Sequence, residues 1–145
     1  MLRYRLTHPD ILAALASAGH GSTVLLTDGH YPAATAAGPN AVTVALNLAP
    51  GTVTVTKVLE LLVDAVAIES VAVMVPPAGD PTPAIFDEFA SILPSGTPRA
   101  DLDRFAFYSA AKSDDLALVV QTGDTRIYAN ILITLGVVAT RPTAD

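Results

Sequence analysis

The chain has 145 residues, 51% of them hydrophobic and 15% charged, which is the size of one domain with enough apolar material for one buried core. A formal net charge of -6, with the few basic residues scattered, excludes the electrostatic footprint of a nucleic-acid binder. Cysteine is absent, so neither disulfides nor thiolate ligands are available, and a reducing, cytoplasmic setting is the expectation.

At the N-terminus, Arg3 and Arg5 precede an Ala-rich stretch ending Ala16-Ser17-Ala18, which imitates a signal peptide and its cleavage site. Thr7-His8-Pro9-Asp10 breaks the would-be apolar core. It has instead the layout of a helix start, with Thr7 as N-cap and an acid in the first turn. Ile11, Leu12 and Leu15 then give a helical stripe that Gly19 can terminate. No apolar run of about 18 residues free of charge and proline occurs, so no membrane span is predicted.

Thr23–Thr27 and Val42–Leu46 are short apolar runs rich in β-formers and read as buried strands. Val55, Val58, Leu59, Leu62 and Val66 recur at helical spacing behind capping threonines, and Ser70–Val75 reads as a third strand. After a proline-rich connection at 76–83, Thr82-Pro83 opens a helix facing inward through Ile85, Phe86, Phe89 and Ile92. A further helix around Arg104–Ala111 carries Arg104, Phe107, Tyr108 and Ala111 on one side. Leu116–Val120 and Ile131–Val138 read as two last strands joined through the turn residues Thr122-Gly123-Asp124. The alternation predicts a single-domain three-layer α/β/α sandwich with a mainly parallel, mixed sheet over residues 1–140, followed by a short tail at 141–145.

Open α/β sheets bind ligands at the carboxyl ends of their strands. Asp28 ends the first strand, and a Gly-, Ala- and Pro-rich loop follows it. If RIYANILIT is extended, Tyr128 and Asn130 share a face with Arg126 beside them. Phenol, amide and guanidinium together suit a small, uncharged, polyhydroxylated ligand. His20, Asp28 and His30 also have the composition of a two-histidine, one-carboxylate metal site. Ser22 beside His20 lacks the G-x-S-x-G context of a serine hydrolase. Each residue also has an ordinary reading, with His20 as a solvated residue past a helix end, Asp28 as a turn former and Arg104 as the partner of Asp101 or Asp103.

Taken in order, Gly19-His20-Gly21, Asp28-Gly29-His30-Tyr31-Pro32, Arg104-Phe105-Ala106-Phe107-Tyr108, and Thr122-Gly123 with Tyr128-Ala129-Asn130-Ile131 resemble the sugar mutarotases comprising D-ribose pyranase and L-fucose mutarotase. The likeness runs from about residue 6 to 138. It is closer to the fucose branch, because the ribose branch carries a histidine in the second half of the chain and none follows His30 here. One departure is Ser113-Asp114-Asp115, where the segment is slightly longer than in the fucose pattern.

The resemblance implies anomer interconversion by acid/base-catalysed ring opening, with no metal and no cofactor. It implies His20 as proton donor, a role that a position past the negative end of a helix favours. Asp28, Arg104, Tyr128, Ala129 and Asn130 would bind the monosaccharide, with His30, Tyr31 and Tyr108 as further pocket residues. It also implies a homo-oligomer, a decameric ring, in which a neighbouring chain completes the pocket. D-ribose pyranase activity and a non-catalytic sugar-binding module are the alternatives.

Overall fold

The structure, a computed structural model, describes residues 1–139; the tail expected at 141–145 lies outside the described residues. The elements are α1 (Pro9–Ser17), β1 (Thr23–Thr27), β2 (Val42–Ala45), α2 (Val55–Ala65), β3 (Ile68–Met74), α3 (Ile85–Ile92), β4 (Arg99–Leu102), α4 (Arg104–Ala111), β5 (Leu116–Gln121) and β6 (Ile131–Leu135). The strands form one sheet in the order β2-β5-β1-β6-β3-β4. Pairings β1/β5, β2/β5 and β3/β4 are parallel, whereas β6 runs antiparallel to β1 and β3 on either side of it. Connectivity accounts for that reversal. A parallel return needs a crossover of about a dozen residues or more, usually through a helix. The segment 122–130 holds no helix, so β6 enters from the edge at which β5 left.

The alternation of side chains along β1 divides the core. Val24 and Leu26 join Ile11, Leu59, Leu62, Phe86 and Phe89 in a cluster that the sheet shares with α1, α2 and α3. Leu25 points the other way, into a cluster with Tyr31, Met74, Phe107 and Ala111, under α4 and the loop after β1. The expected three layers follow, and Leu25, Leu26, Leu59, Leu62, Phe107 and Ile131 are wholly inaccessible.

Several local expectations change for identifiable reasons. Pro9 takes the first helical position, and a residue before proline is pushed to extended backbone. His8 therefore becomes the N-cap of α1 (φ -65°, ψ 120°) in place of Thr7, with no side-chain cap bond. Helix α1 ends on an extended Ala18, and the left-handed residue is Gly21 (φ 83°), not Gly19. At α2 the threonine reading holds, since Thr54 accepts a bond from the Lys57 N–H at 3.2 Å. Helix α3 opens at Ile85, after a tighter turn in which the Phe86 N–H reaches the Pro83 carbonyl at 3.1 Å. β4 has no counterpart in the sequence reading. It is an edge strand of four residues, two of them the charged pair Arg99 and Asp101 bonded to each other at 2.8 Å, and edges are commonly kept short and charged.

Candidate functional site: a polar cleft at the strand ends

Because β6 runs backwards, the N-terminus of β6 shares a sheet edge with the C-termini of β1, β3 and β4. Asp28, Asn130, Met74 and Arg104 thus come from four parts of the chain to one place. Together with His30, Tyr31, Tyr108, Ile127 and Tyr128 they line a cleft of about 190 Å³, large enough for a monosaccharide ring.

Asp28 organises its floor. It is 2% exposed, and its Oδ1 accepts the His30 and Tyr31 backbone N–H groups, each at 2.9 Å. Its Oδ2 accepts from Asn130 Nδ2 at 2.9 Å, while the Asp28 N–H donates back to Asn130 Oδ1 at 3.1 Å. The reciprocal pair welds the end of β1 to the start of β6. Burial pushes the Asp28 carboxyl above its ordinary value, against the lowering effect of these bonds. A raised carboxyl pKa stabilises the fold below the ordinary value, and the contribution is lost as pH rises through the folded value, so ionised Asp28 opposes folding at neutral pH. A buried, perturbed acid in a cleft marks a functional-site candidate.

Tyr31 stacks edge-on against Phe107 and Tyr108, with centroids 6.3 and 5.5 Å away. Its hydroxyl donates to the Ala36 carbonyl at 2.8 Å, so it forms a wall whose polar end is already engaged. Arg104 is exposed and lies over the Tyr108 ring at 5.7 Å. The ordinary reading of Arg104 as a partner of Asp101 or Asp103 does not hold. Asp103 caps α4 through the Phe105 and Ala106 N–H groups, and Asp101 holds Arg99. The guanidinium therefore has no carboxylate partner among the described residues and projects at the cleft with its fork of donors available. His30 is exposed on the cleft wall, its Nε2 3.4 Å from the Thr125 carbonyl.

Three expectations are corrected here. Arg126 does not stand beside Tyr128 and Asn130, because the segment is a turn and not a strand, with Tyr128 at φ 68°. The Arg126 side chain turns away to Asp124, Glu88 and Thr56, and Arg104 supplies the guanidinium of the cleft. Ala129 buries its methyl fully in the core and does not line the cleft. His20 does not meet Asp28 or His30 within one chain. It precedes β1 and bonds Glu69, near the start of β3, at 2.6 Å, on the opposite edge of the sheet. At about 3.3 Å of rise per extended residue, that edge lies on the order of 20 Å from Asp28. The three-ligand metal site is therefore not assembled in the chain, and no group of three or more metal-ligating side chains occurs among the described residues. None of the described helices is long and apolar enough to cross a membrane.

Asp124, missed as a site-supporting residue, is 2% exposed. Burial acts to raise its carboxyl, but bonds from the Arg126 side chain, the Arg126 N–H and the Val55 N–H outweigh that and hold it below the ordinary value of 3.8. The stabilisation is complete above that value and is lost as pH falls below it through the lower folded value. Acid titration of unfolding is therefore expected to show a loss of stability below about pH 4 that is shallower in Asp124→Asn.

Fold and cleft together define an α/β domain built to hold one small polar ligand at its strand ends. The chain belongs to the RbsD / FucU transport protein family, whose pattern it matches over residues 1–138. It is 34% identical to the fucose mutarotase of Homo sapiens over 94% of this chain and 93% of that protein. Among solved structures, the fucose mutarotase of Streptococcus pneumoniae in complex with L-fucose superposes with a TM-score of 0.77 at 28% identity, covering 91% of this chain and 94% of the other. Bacillus subtilis RbsD complexed with D-ribose gives 0.80 at 20% identity over 96% of this chain and 100% of the other, a likeness of fold.

Proposed function

We propose that this chain is a sugar mutarotase that interconverts the α and β anomers of L-fucose or a stereochemical relative. The observation carrying the reading is that Asp28, Arg104, Tyr128 and Asn130, from separate motifs, converge on one cleft in a chain 34% identical to a fucose mutarotase along nearly its whole length.

Anomer exchange needs two proton transfers. The ring oxygen gains a proton as the C1–O5 bond breaks, and the anomeric hydroxyl loses one, leaving the open-chain aldehyde. Rotation about C1–C2 and the reverse transfers close the ring on the other face. Neither step changes oxidation state, and the carbonyl is consumed where it forms, so acid/base groups suffice without metal or cofactor. In this reading His20 is the proton donor, reaching the cleft from a neighbouring copy of the chain. Its location across the sheet from Asp28, with Glu69 as its partner, supports a shared site. Arg104 holds a hydroxyl pair, Asn130 and Tyr128 orient further hydroxyls, and Asp28 sets Asn130 while offering a carboxylate edge to the sugar. His30, Tyr31 and Tyr108 complete the walls. The assembly in this reading is a closed ring, a decamer by family resemblance, working in the cytoplasm.

Magnetisation-transfer NMR of anomeric protons over a panel of aldoses tests it. Accelerated exchange is expected for L-fucose, weaker for ribose and near background for glucose. Acceleration confined to ribose, with furanose–pyranose exchange, would make the protein a D-ribose pyranase, and binding at the solvent exchange rate would make it a non-catalytic module. Asp28→Asn, Arg104→Ala and Tyr128→Phe should each raise the apparent KM as well as slow turnover in the same assay. At Asp28 the reason is specific: an amide placed to accept the two backbone N–H groups turns a donor toward Asn130 Nδ2, and the pair is lost.

A further inference from the structure

Tyr128 is held in a conformation that its residue type disfavours. Its φ of 68° is the only positive value among the described non-glycine residues, in the left-handed region where a Cβ crowds the backbone. It is third in a turn closed by the Ala129 N–H on the Arg126 carbonyl at 3.3 Å, a position that favours glycine or asparagine. Such a residue persists only where its flanks leave no alternative.

The downstream flank is fixed by the buried Ala129 and by the Asn130–Asp28 pair. The upstream flank is fixed by a network lying outside the cleft. Asp124 Oδ1 accepts the Arg126 N–H and Nε at 3.0 Å each, and its Oδ2 accepts Arg126 Nη2 at 2.7 Å and the Val55 N–H, at the start of α2, at 3.0 Å. Arg126 extends from there to Glu88 on α3 at 2.7 Å and to Thr56 on α2 at 3.3 Å. A planar fork with several fixed donors is suited to such a clamp, and lysine cannot reproduce it.

We infer that the Asp124–Arg126–Glu88 clamp is a positioning device that forces Tyr128 into its left-handed turn and so aims the phenol into the sugar cleft. The inference rests on the mutarotase reading above. Arg126 touches no sugar; it acts through Tyr128, two residues on.

The test is a double-mutant cycle on L-fucose exchange, with the intact protein and KM and kcat read separately. Arg126→Ala should raise KM about tenfold with a smaller effect on kcat, and Arg126→Lys should fall between it and wild type. In a Tyr128→Phe background, Arg126→Ala should add less than about twofold, because the group it positions is already gone. Val58→Ala, which opens a cavity beneath α2 away from the cleft, should lower the melting temperature without moving KM. Multiplying effects of Arg126→Ala and Tyr128→Phe, or a KM for Arg126→Ala no higher than for Val58→Ala, would overturn the positioning role in an active enzyme. Should Arg126→Ala fail to fold, Arg126→Lys carries the same cycle, with its own KM increase vanishing in the Tyr128→Phe background. If wild-type protein exchanges no aldose, it is the mutarotase reading that fails, and this inference falls with it.

Discussion

Replacing His20 with alanine is expected to abolish catalysed anomer exchange while leaving L-fucose binding nearly unchanged. Positioned general acids contribute about 10² to 10⁴ in rate, and His20 is on the far sheet edge from the residues that line the cleft. The same separation yields a sharper test. An assembly of His20→Ala chains has intact clefts and no donors, whereas one of Tyr128→Phe chains has donors and weakened clefts. Dissociated and reassociated together in equal amounts, the two should regain roughly a quarter of the wild-type sites, since a site with both halves intact forms only where the right chains adjoin. Activity that stays at the sum of the parents would show that each chain works alone, and wild-type rates in His20→Ala would remove His20 from the mechanism.

How much of this could be read beforehand depends on the kind of signal. Helix α4 was legible from the spacing of Phe107 and Ala111, which survives in the core, while its cap, Asp103, was read as a partner of Arg104. Strands β1 and β5 were legible because both faces are covered, giving near-continuous apolar runs. β4 was not, since Arg99-Ala100-Asp101-Leu102 is an edge whose pairing with β3 is made by backbone groups rather than by an apolar pattern.

The site shows the same division. Asp28, Tyr128 and Asn130 could be placed at strand ends because sheet topology puts ligands there. Which arginine faces the cleft could not, because it turns on one backbone angle. With Tyr128 at φ 68° the turn sends Arg126 out to α2 and α3, whereas an extended strand would have aligned all three side chains. Periodicity assumes regular backbone, and it fails where a functional residue departs from it. The distance between His20 and Asp28 was hidden for a related reason. Near neighbours in sequence, they are separated by a full strand, and a strand is the one element that carries its two ends directly apart.

With the site shared between chains as proposed, breaking the assembly should cost nearly as much activity as deleting His20, because a lone chain would keep its cleft and lose the neighbour's donor. The surface points to where contact would be made. Phe105, Ile127 and Leu48 are 79%, 71% and 86% exposed; Ile127 lines the cleft, Phe105 follows Arg104 at the start of α4, and Leu48 borders the adjoining depression that shares His30. Exposed large apolar side chains beside a cleft are a mark of a surface that is covered in use. Burying a carboxylate among such groups is strongly unfavourable unless it is paired. Phe105→Glu should therefore shift the protein toward smaller species in sedimentation velocity at micromolar concentration, with the far-ultraviolet circular dichroism unchanged, since Phe105 contributes nothing to either core cluster. Exchange of L-fucose anomers should fall with it toward the His20→Ala level, and wild-type activity should decline on dilution through the same dissociation. A monomer that exchanges L-fucose at the wild-type rate would end both the shared site and the ring.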